Sequence, residues 1–204
     1  MFFSEISDSS SSKGRFVKIG TCRVDGIEVR CVKKTYVALS EFEKMAYNLN
    51  KYKDLIKKVG PRSFELDSDN KQIFMEYIGC QSVKDYLVEN IDALDPESDL
   101  KLQGLIKSIR DLIDTMSTYG VCHNDFHTEN LLICADGTLK MIDFDDLTDL
   151  DGNCEDMNEI IGTMVTTLGK KTTSEESRVI SSAKVRTQQK MSIIREKVTR
   201  MMLD

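Results

Sequence analysis

A chain of 204 residues with 40% hydrophobic and 30% charged side chains has the size of one domain or of two small lobes, and its composition is that of a folded protein rather than a disordered one. No apolar run approaches the ~18 residues needed to cross a bilayer, and the opening "MFFSEISDSSSSKGR" lacks the basic-then-apolar order of a secretory signal, so no membrane span and a cytoplasmic location are expected. The net charge of −6 is uneven: residues 170–204 carry nine Lys/Arg against four Asp/Glu, net +5, which leaves −11 on residues 1–169; nothing in this pattern points to nucleic acid.

In chain order, "FFSEIS" reads as a short strand ahead of the serine run Ser9–Ser12, the one low-complexity segment. Residues 15–34, "RFVKIGTCRVDGIEVRCVKK", form two strands around Asp25-Gly26, a strong hairpin signal. A helix over 40–57 follows, opened by a Ser40/Glu43 capping box, with Phe42, Met45, Ala46, Leu49 and Ile56 at helical spacing and Gly60-Pro61 as its stop. "RSFELDSDNKQIFMEYI" reads as a second hairpin turning near Ser68–Asn70. Beyond Gly79 the pattern becomes helical: "SVKDYLVEN", then "DLKLQGLIKSIRDLIDTMSTYG" with Leu102, Leu105, Ile109, Leu112 and Met116 on one stripe. Two short strands around Asp136-Gly137 interrupt it, and the remainder is helical. The basic tail helix has two readings, a docking element for an acidic surface or an ordinary solvated face.

The six cysteines (22, 31, 80, 122, 134, 154) are scattered, with no C-x-x-C pair, and several sit in apolar strand-like runs. Reduced, mostly buried thiols in a reducing compartment are expected.

Both histidines lie in "VCHNDFHTEN". The alternation of His123, Asp125, His127 and Glu129 resembles a metal-binding strand, but such sites draw further histidines from elsewhere and this chain has none left. Phosphoryl transfer makes other demands, met at separated places. It needs a carboxylate to accept the acceptor's proton, an amide oxygen and a second carboxylate to hold Mg²⁺, and a lysine on the phosphates. Asp125 is followed five residues later by Asn130, and thirteen residues on "MIDFDD" supplies Asp143; the hairpin between them is expected to bring Asn130 and Asp143 together.

"HNDFHTEN" and "IDFD" resemble the H-R-D-x-x-x-x-N and D-F-G signatures of the protein-kinase-like superfamily. "VRCVKK" resembles the strand ending in the phosphate-binding lysine, and "QIFMEYIGCQSVKDYL" the hinge. The resemblance spans about residues 5–160. It implies an α+β, two-lobed fold. Residues 1–78 would form a lobe with a small antiparallel sheet and one helix, and residues 79–204 a reduced helical lobe with a basic C-terminal helix. It implies ATP and Mg²⁺ as cofactors, Asp125 as the catalytic base, and Asn130 and Asp143 as metal ligands. Lys33 would bind phosphate, with Lys34 the competing lysine on the opposite strand face, and Glu43 would pair with the lysine, Glu41 being the alternative. Met75 would be the gatekeeper, with the backbone of Glu76 and Ile78 on adenine, and Asp156 the buried aspartate that opens the next large helix.

The departures from the family pattern carry expectations of their own. Asn124 stands where the family has arginine and the segment from Asp143 to Asp156 is short, so no activation-loop phosphorylation is expected. Asp145 replaces the glycine of D-F-G. No glycine-rich loop is present; "SDSSSSKGR" retains only Gly14, read either as a phosphate loop or as a serine-rich terminus. The compact plan is similar to small effector kinases of bacterial pathogens (OspG-like and HopBF-like) and to Bud32/RIO-type kinases. This implies a monomeric protein serine/threonine kinase with a protein substrate, a host protein if the chain is a secreted effector. Choline- or aminoglycoside-type phosphotransfer and a pseudokinase binding module are the alternatives.

Overall fold

The structure, a computed structural model, describes all residues except 1–2, 7–9, 13–14, 93–94, 153, 177–182 and 204; for 10–12, 64, 171–176 and 183–189 it describes the backbone only. Gly14 therefore lies outside the described residues. The chain divides into two units, Met1–Gly79 with Met141–Leu147, and Cys80–Lys140 with Thr148–Asp204.

The first unit is built on an antiparallel sheet. Strands β1 (Phe3–Glu5), β2 (Ser10–Ser12), β3 (Arg15–Val24) and β4 (Ile27–Tyr36) come first, then helices α1 (Leu39–Lys51) and α2 (Lys53–Val59), then β5 (Ser63–Asp67) and β6 (Gln72–Glu76). The sheet order is β1-β3-β4-β6-β5, with β2 also on β3, so part of the serine run is strand. Asp25 and Gly26 take positive φ (51° and 81°), the geometry a two-residue turn needs to match the twist of its strands. The resulting register pairs Arg15 with Tyr36, Val17 with Lys34 and Lys18 with Lys33. Side chains alternate across a strand, so Arg15, Lys34 and Tyr36 share one face and Lys33 takes the other. On the Lys33 face, Cys22, Cys31 and Phe74 form a small core with Phe3, Val24 and Val29 against it.

The other face carries the helices. Phe42, Met45, Asn48 and Leu49 of α1 are buried, and Phe42 meets Tyr36 edge-on at 6.2 Å. The expected single helix is two, broken at Tyr52, and the Ser40 cap does not form: the helix starts at Leu39 with Ala38 at its N-cap and no side-chain cap. The chain returns to this unit through a 3₁₀ turn, Phe144–Asp146, whose Phe144 is fully buried. A Cβ on Gly60 would lie 2.4 Å from the Phe144 ring, so the glycine that ends α2 also makes room for that ring.

The second unit begins with β7 (Gln81–Ser82) and α3 (Val83–Asn90), where Ser82 caps the helix by accepting from the Asp85 N–H. Helix α4 (Asp99–Thr118) buries Leu102, Leu105, Ile106, Ile109, Leu112 and Met116, the stripe read from its periodicity. Then come β8 (Val121–Cys122), β9 (Leu131–Ile133), β10 (Leu139–Met141), β11 (Thr148–Asp149), α5 (Asp156–Glu176) and α6 (Ala183–Leu203). Strand β9 lies between β7 and β10, and β8 pairs with β11. Ile194, Val198 and Met202 of α6 are buried, and Lys197 forms an ion pair with Asp99 at the start of α4. Part of the basic tail is thus a packed helix. No described helix is long and apolar enough to cross a membrane.

The cysteines correct an expectation. All six are paired, as Cys22–Cys31, Cys80–Cys134 and Cys122–Cys154. Cys22 and Cys31 sit diagonally across the β3–β4 hairpin, and the other two pairs join segments 54 and 32 residues apart. Sequence spacing carries no trace of proximity created by folding. The argument for a reducing compartment, which rested on unpaired thiols, loses its basis.

Candidate active site

In the first unit, four charged groups and a phenol from three segments meet. Asp143 and Asp145 come from the 3₁₀ turn, Lys34 and Tyr36 from β4, and Arg15 from the start of β3. Lys34 Nζ donates to Asp143 Oδ1 at 2.8 Å and lies 3.5 Å from Asp145 Oδ2, while the Tyr36 hydroxyl donates to Asp145 Oδ1 at 2.9 Å. The Arg15 guanidinium straddles the pair, one Nη on Asp143 and the other on Asp145. Lys34 is only 8% exposed; a buried ammonium requires anionic partners, and the two aspartates supply them. From the facing helix, Asn48, itself 2% exposed, donates to the backbone oxygens of Phe144 (2.9 Å) and Asp145 (3.0 Å). Asp143 adopts a left-handed backbone, φ 67° and ψ 68°, a conformation aspartate tolerates better than most residues.

The two carboxylates do not share their charge equally. Burial raises Asp145, its hydrogen bond with Asp143 raises it further, and it is pushed up to about 6 despite Lys34 and Arg15. For Asp143 burial also opposes ionisation, but the hydrogen bond from Asp145 and the cations Lys34 and Arg15 prevail and hold it far below the usual carboxylate range. Burial, followed by the Asp145 charge, drives the Tyr36 phenol well above its ordinary value.

Two of the expected residues, Lys33 and Glu43, do not join this cluster. Lys33 points to the other sheet face, its Nζ 4.3 Å from the centre of the Phe3 ring; Lys34 is the lysine that reaches Asp143. Glu41 and Glu43 are both exposed, and neither forms an ion pair with a described lysine. At the hinge, Met75 is buried in β6, the Glu76 N–H donates to the Arg62 oxygen and the Tyr77 N–H to the Arg30 oxygen, and Ile78 follows in an extended segment. Arg15, Tyr36 and Asn48 were not anticipated. A countable signal existed for the first two: a two-residue turn at Asp25-Gly26 sets Arg15 opposite Tyr36, two positions from Val17 opposite Lys34.

In the second unit, the loop after β8 brings Asp125 and Asn130 together. Asn130, 7% exposed, donates through Nδ2 to the backbone oxygen and to Oδ2 of Asp125, each at 3.0 Å. With Nδ2 so committed, its Oδ1 is the atom left to face a cation. His127 Nε2 lies 3.2 Å from Asn130 Nδ2 and 3.5 Å from Asp125 Oδ1, so this histidine belongs to the loop's own bonding. His123 is fully buried and packs edge-on against Phe126.

Helix α5 holds the loop from below. Asp156, 2% exposed, accepts from the His123 N–H (2.7 Å) and the Asn124 N–H (2.9 Å), and Glu159 accepts from the Phe126 N–H (2.7 Å). Asn124 has φ 61°, so its residue type suits a left-handed position as well as standing where the family has arginine; its side chain bonds the Thr148 hydroxyl at 2.8 Å. Cys122–Cys154 ties the strand before the loop to the segment before α5.

Residues 66–151, less than half of the chain, match the model of the APH phosphotransferase enzyme family. This stretch runs from β5 through the hinge to the segment after Asp143. Three curated proteins are similar over spans of comparable length. Calcium-dependent protein kinase 27 of Arabidopsis thaliana is 32% identical over 38% of this chain and 17% of its own length. Probable bifunctional tRNA threonylcarbamoyladenosine biosynthesis proteins follow. That of Methanococcus vannielii is 38% identical over 41% of this chain and 13% of its own, and that of Methanocaldococcus jannaschii 31% over 46% and 16%. The chain spans less than a fifth of the length of these relatives. The matches support a kinase-like phosphotransferase. With helices and antiparallel sheets, a small sheet in one unit and mostly helix in the other, the α+β architecture agrees with a kinase-like fold.

Proposed function

We propose that the chain is an ATP- and Mg²⁺-dependent protein serine/threonine kinase of minimal type. The first unit would serve as the nucleotide-holding lobe and the second as the catalytic lobe. The observation that carries the reading is the Asp125–Asn130 pair, with its loop backbone held by Asp156 and Glu159. A proton acceptor and an amide are locked together there, and the amide oxygen is left for a metal.

Asp125 accepts the proton of the acceptor hydroxyl as its oxygen attacks the terminal phosphorus of ATP and the bond to ADP breaks. We assign the phosphate-binding role to Lys34 in place of Lys33, because Lys34 is the lysine beside Asp143. No partner role is assigned to Glu43, since Lys34 already has Asp143 and Asp145. The backbone of Glu76 and Ile78 is proposed to meet adenine. No role rests on Gly14.

The residues fit a divalent ion: Asp143 and Asp145 turn carboxylate oxygens toward the same cations, and hard oxygen donors are what Mg²⁺ takes. Asp143 and Asn130 are its proposed ligands. When bound, the ion neutralises charge on the phosphate oxygens.

A protein acceptor is favoured by the short span between hinge and catalytic loop, where the helical elements among the described residues are α3, one 3₁₀ turn and α4; small-molecule kinases build their pockets from larger helical insertions. Small-molecule phosphotransfer is the second reading, since the matching family is described as phosphotransferase enzymes without restriction to a protein acceptor. Delivery into a host cell, with a host protein as substrate, rests on the resemblance to effector kinases.

Transfer of labelled γ-phosphate to lysate proteins tests the reading. Labelled bands should vanish with Asp125→Ala and Asp143→Ala, fall about 10²-fold or more with Lys34→Met, and stay within a few-fold with Lys33→Met. Label on choline or an aminoglycoside instead would establish the second reading, and nucleotide binding without any transfer would leave a pseudokinase.

A further inference from the structure

The described cation sites of the first unit converge on an arrangement that the roles above do not use. All four carboxylate oxygens of Asp143 and Asp145 have donors. Asp143 Oδ1 takes Lys34, Asp145 Oδ1 takes Tyr36, and the two Oδ2 atoms, one from each aspartate, both take Arg15. A guanidinium is a planar fork able to satisfy two oxygens at once. Here it spans two carboxylates, as a chelated ion would. The D-F-D sequence makes this possible, because glycine at position 145 would leave the second tooth of the fork without a partner.

We propose that Arg15 is a resident cation of the Asp143–Asp145 pair, which a divalent ion must displace, so that Arg15 sets the threshold for metal binding. The proposal rests on the metal role given to Asp143. It also requires somewhere for the displaced guanidinium to go. A cavity of about 150 Å³ adjoins the pair, lined by Arg15, Tyr36, Glu41, Lys44, Asp145 and Asp146. Glu41 offers it an exposed carboxylate there, since Asp146 is already paired with Lys44 at 2.6 Å. The metal-free state is thereby a folded, charge-compensated state, because two buried carboxylates with neither Arg15 nor a metal would be left with a single ammonium.

Binding of Mn²⁺ alone to the full nucleotide-free chain, read by electron paramagnetic resonance, tests this. Arg15→Gln should bind Mn²⁺ about 10-fold or more tightly than the unaltered chain, the equivalent of removing one competing ligand. Arg15→Lys, which keeps charge but not the fork, should fall between. Metal-free Arg15→Gln should also melt lower and recover with Mn²⁺. Should Arg15→Gln fail to fold, Glu41→Gln gives the opposite readout: without its landing site, Arg15 competes better and Mn²⁺ affinity falls. Unchanged or weaker affinity in a folded Arg15→Gln overturns the proposal alone. Absence of Mn²⁺ binding in every variant overturns the metal role of Asp143 and the proposal with it.

Discussion

Asp143 and Asp145 are two residues apart, alike in chemistry and similarly buried, yet the fold gives them opposite protonation behaviour. An unfolded aspartate titrates near about 3.9. Asp145, pushed up to about 6 by burial and by Asp143, holds a proton in the folded chain that the unfolded chain has released. Its contribution is therefore fully present below the unfolded value and is lost as pH rises through about 6. Asp143 is depressed, so its contribution is present above the unfolded value and is lost only in stronger acid. Between about pH 7 and pH 5 it is Asp145, not Asp143, of this pair that titrates, and its contribution should raise metal-free stability as the pH falls. Urea midpoints at the two pH values check this, and Asp145→Asn, which mimics the protonated acid, should flatten the difference. A midpoint that drops on acidification in the unaltered chain contradicts the assignment.

Lys33 and Lys34 show why a motif match stops one residue short. Pattern matching places a lysine at the end of a strand, and either residue fulfils it. Which one reaches Asp143 depends on the face each takes, and one position reverses the face.

Among the elements, the hairpins and long helices follow local rules. Asp25-Gly26 and Asp136-Gly137 turn where turn chemistry says they should, with Gly26 and Gly137 both at φ 81°, and the α4 stripe is buried as read. The Ser40 cap fails because Leu39 is already helical and the extended residue is Ala38. The first turn of α5 works on another element: Asp156 and Glu159 accept backbone N–H groups from the loop after β8. Asp156→Ala leaves the buried His123 N–H without an acceptor, at about 1–3 kcal/mol, and removes the acceptor of the part-buried Asn124 N–H. The variant should lower both the unfolding free energy and kcat, since His123 and Asn124, the residues just before Asp125, are held through that carboxylate. A kcat unchanged in a destabilised Asp156→Ala would show that the anchor is structural only.

For the whole molecule, the disulfides are the largest departure from the local reading. Cys80–Cys134 and Cys122–Cys154 close loops within the second unit, and such cross-links contribute typically about 2–4 kcal/mol each. Thiol titration of the denatured, unreduced chain should find no free thiol and, after reduction, six. Reduction should lower the denaturation midpoint of the second unit. Free thiols before reduction would restore the reading made from spacing alone.

The kinase-like resemblance, the α+β class and the order of the hairpins and long helices were legible from the chain, because hairpin turns, helical periodicity and short motifs are local; the short strands β2, β7, β8 and β11 and the break between α1 and α2 were not. The proposed roles of Asp125, Asn130 and Asp143 are drawn from such motifs, and the fold places Asn130 against Asp125. The contact of Lys34 with Asp143, the placement of Arg15, Tyr36 and Asn48 beside it, the exposure of Glu43 and the pairing of six cysteines depend on partners up to 130 residues away. Charge compensation and disulfide formation act through space. Only the tertiary structure decides which cation meets which carboxylate and which sulfur meets which.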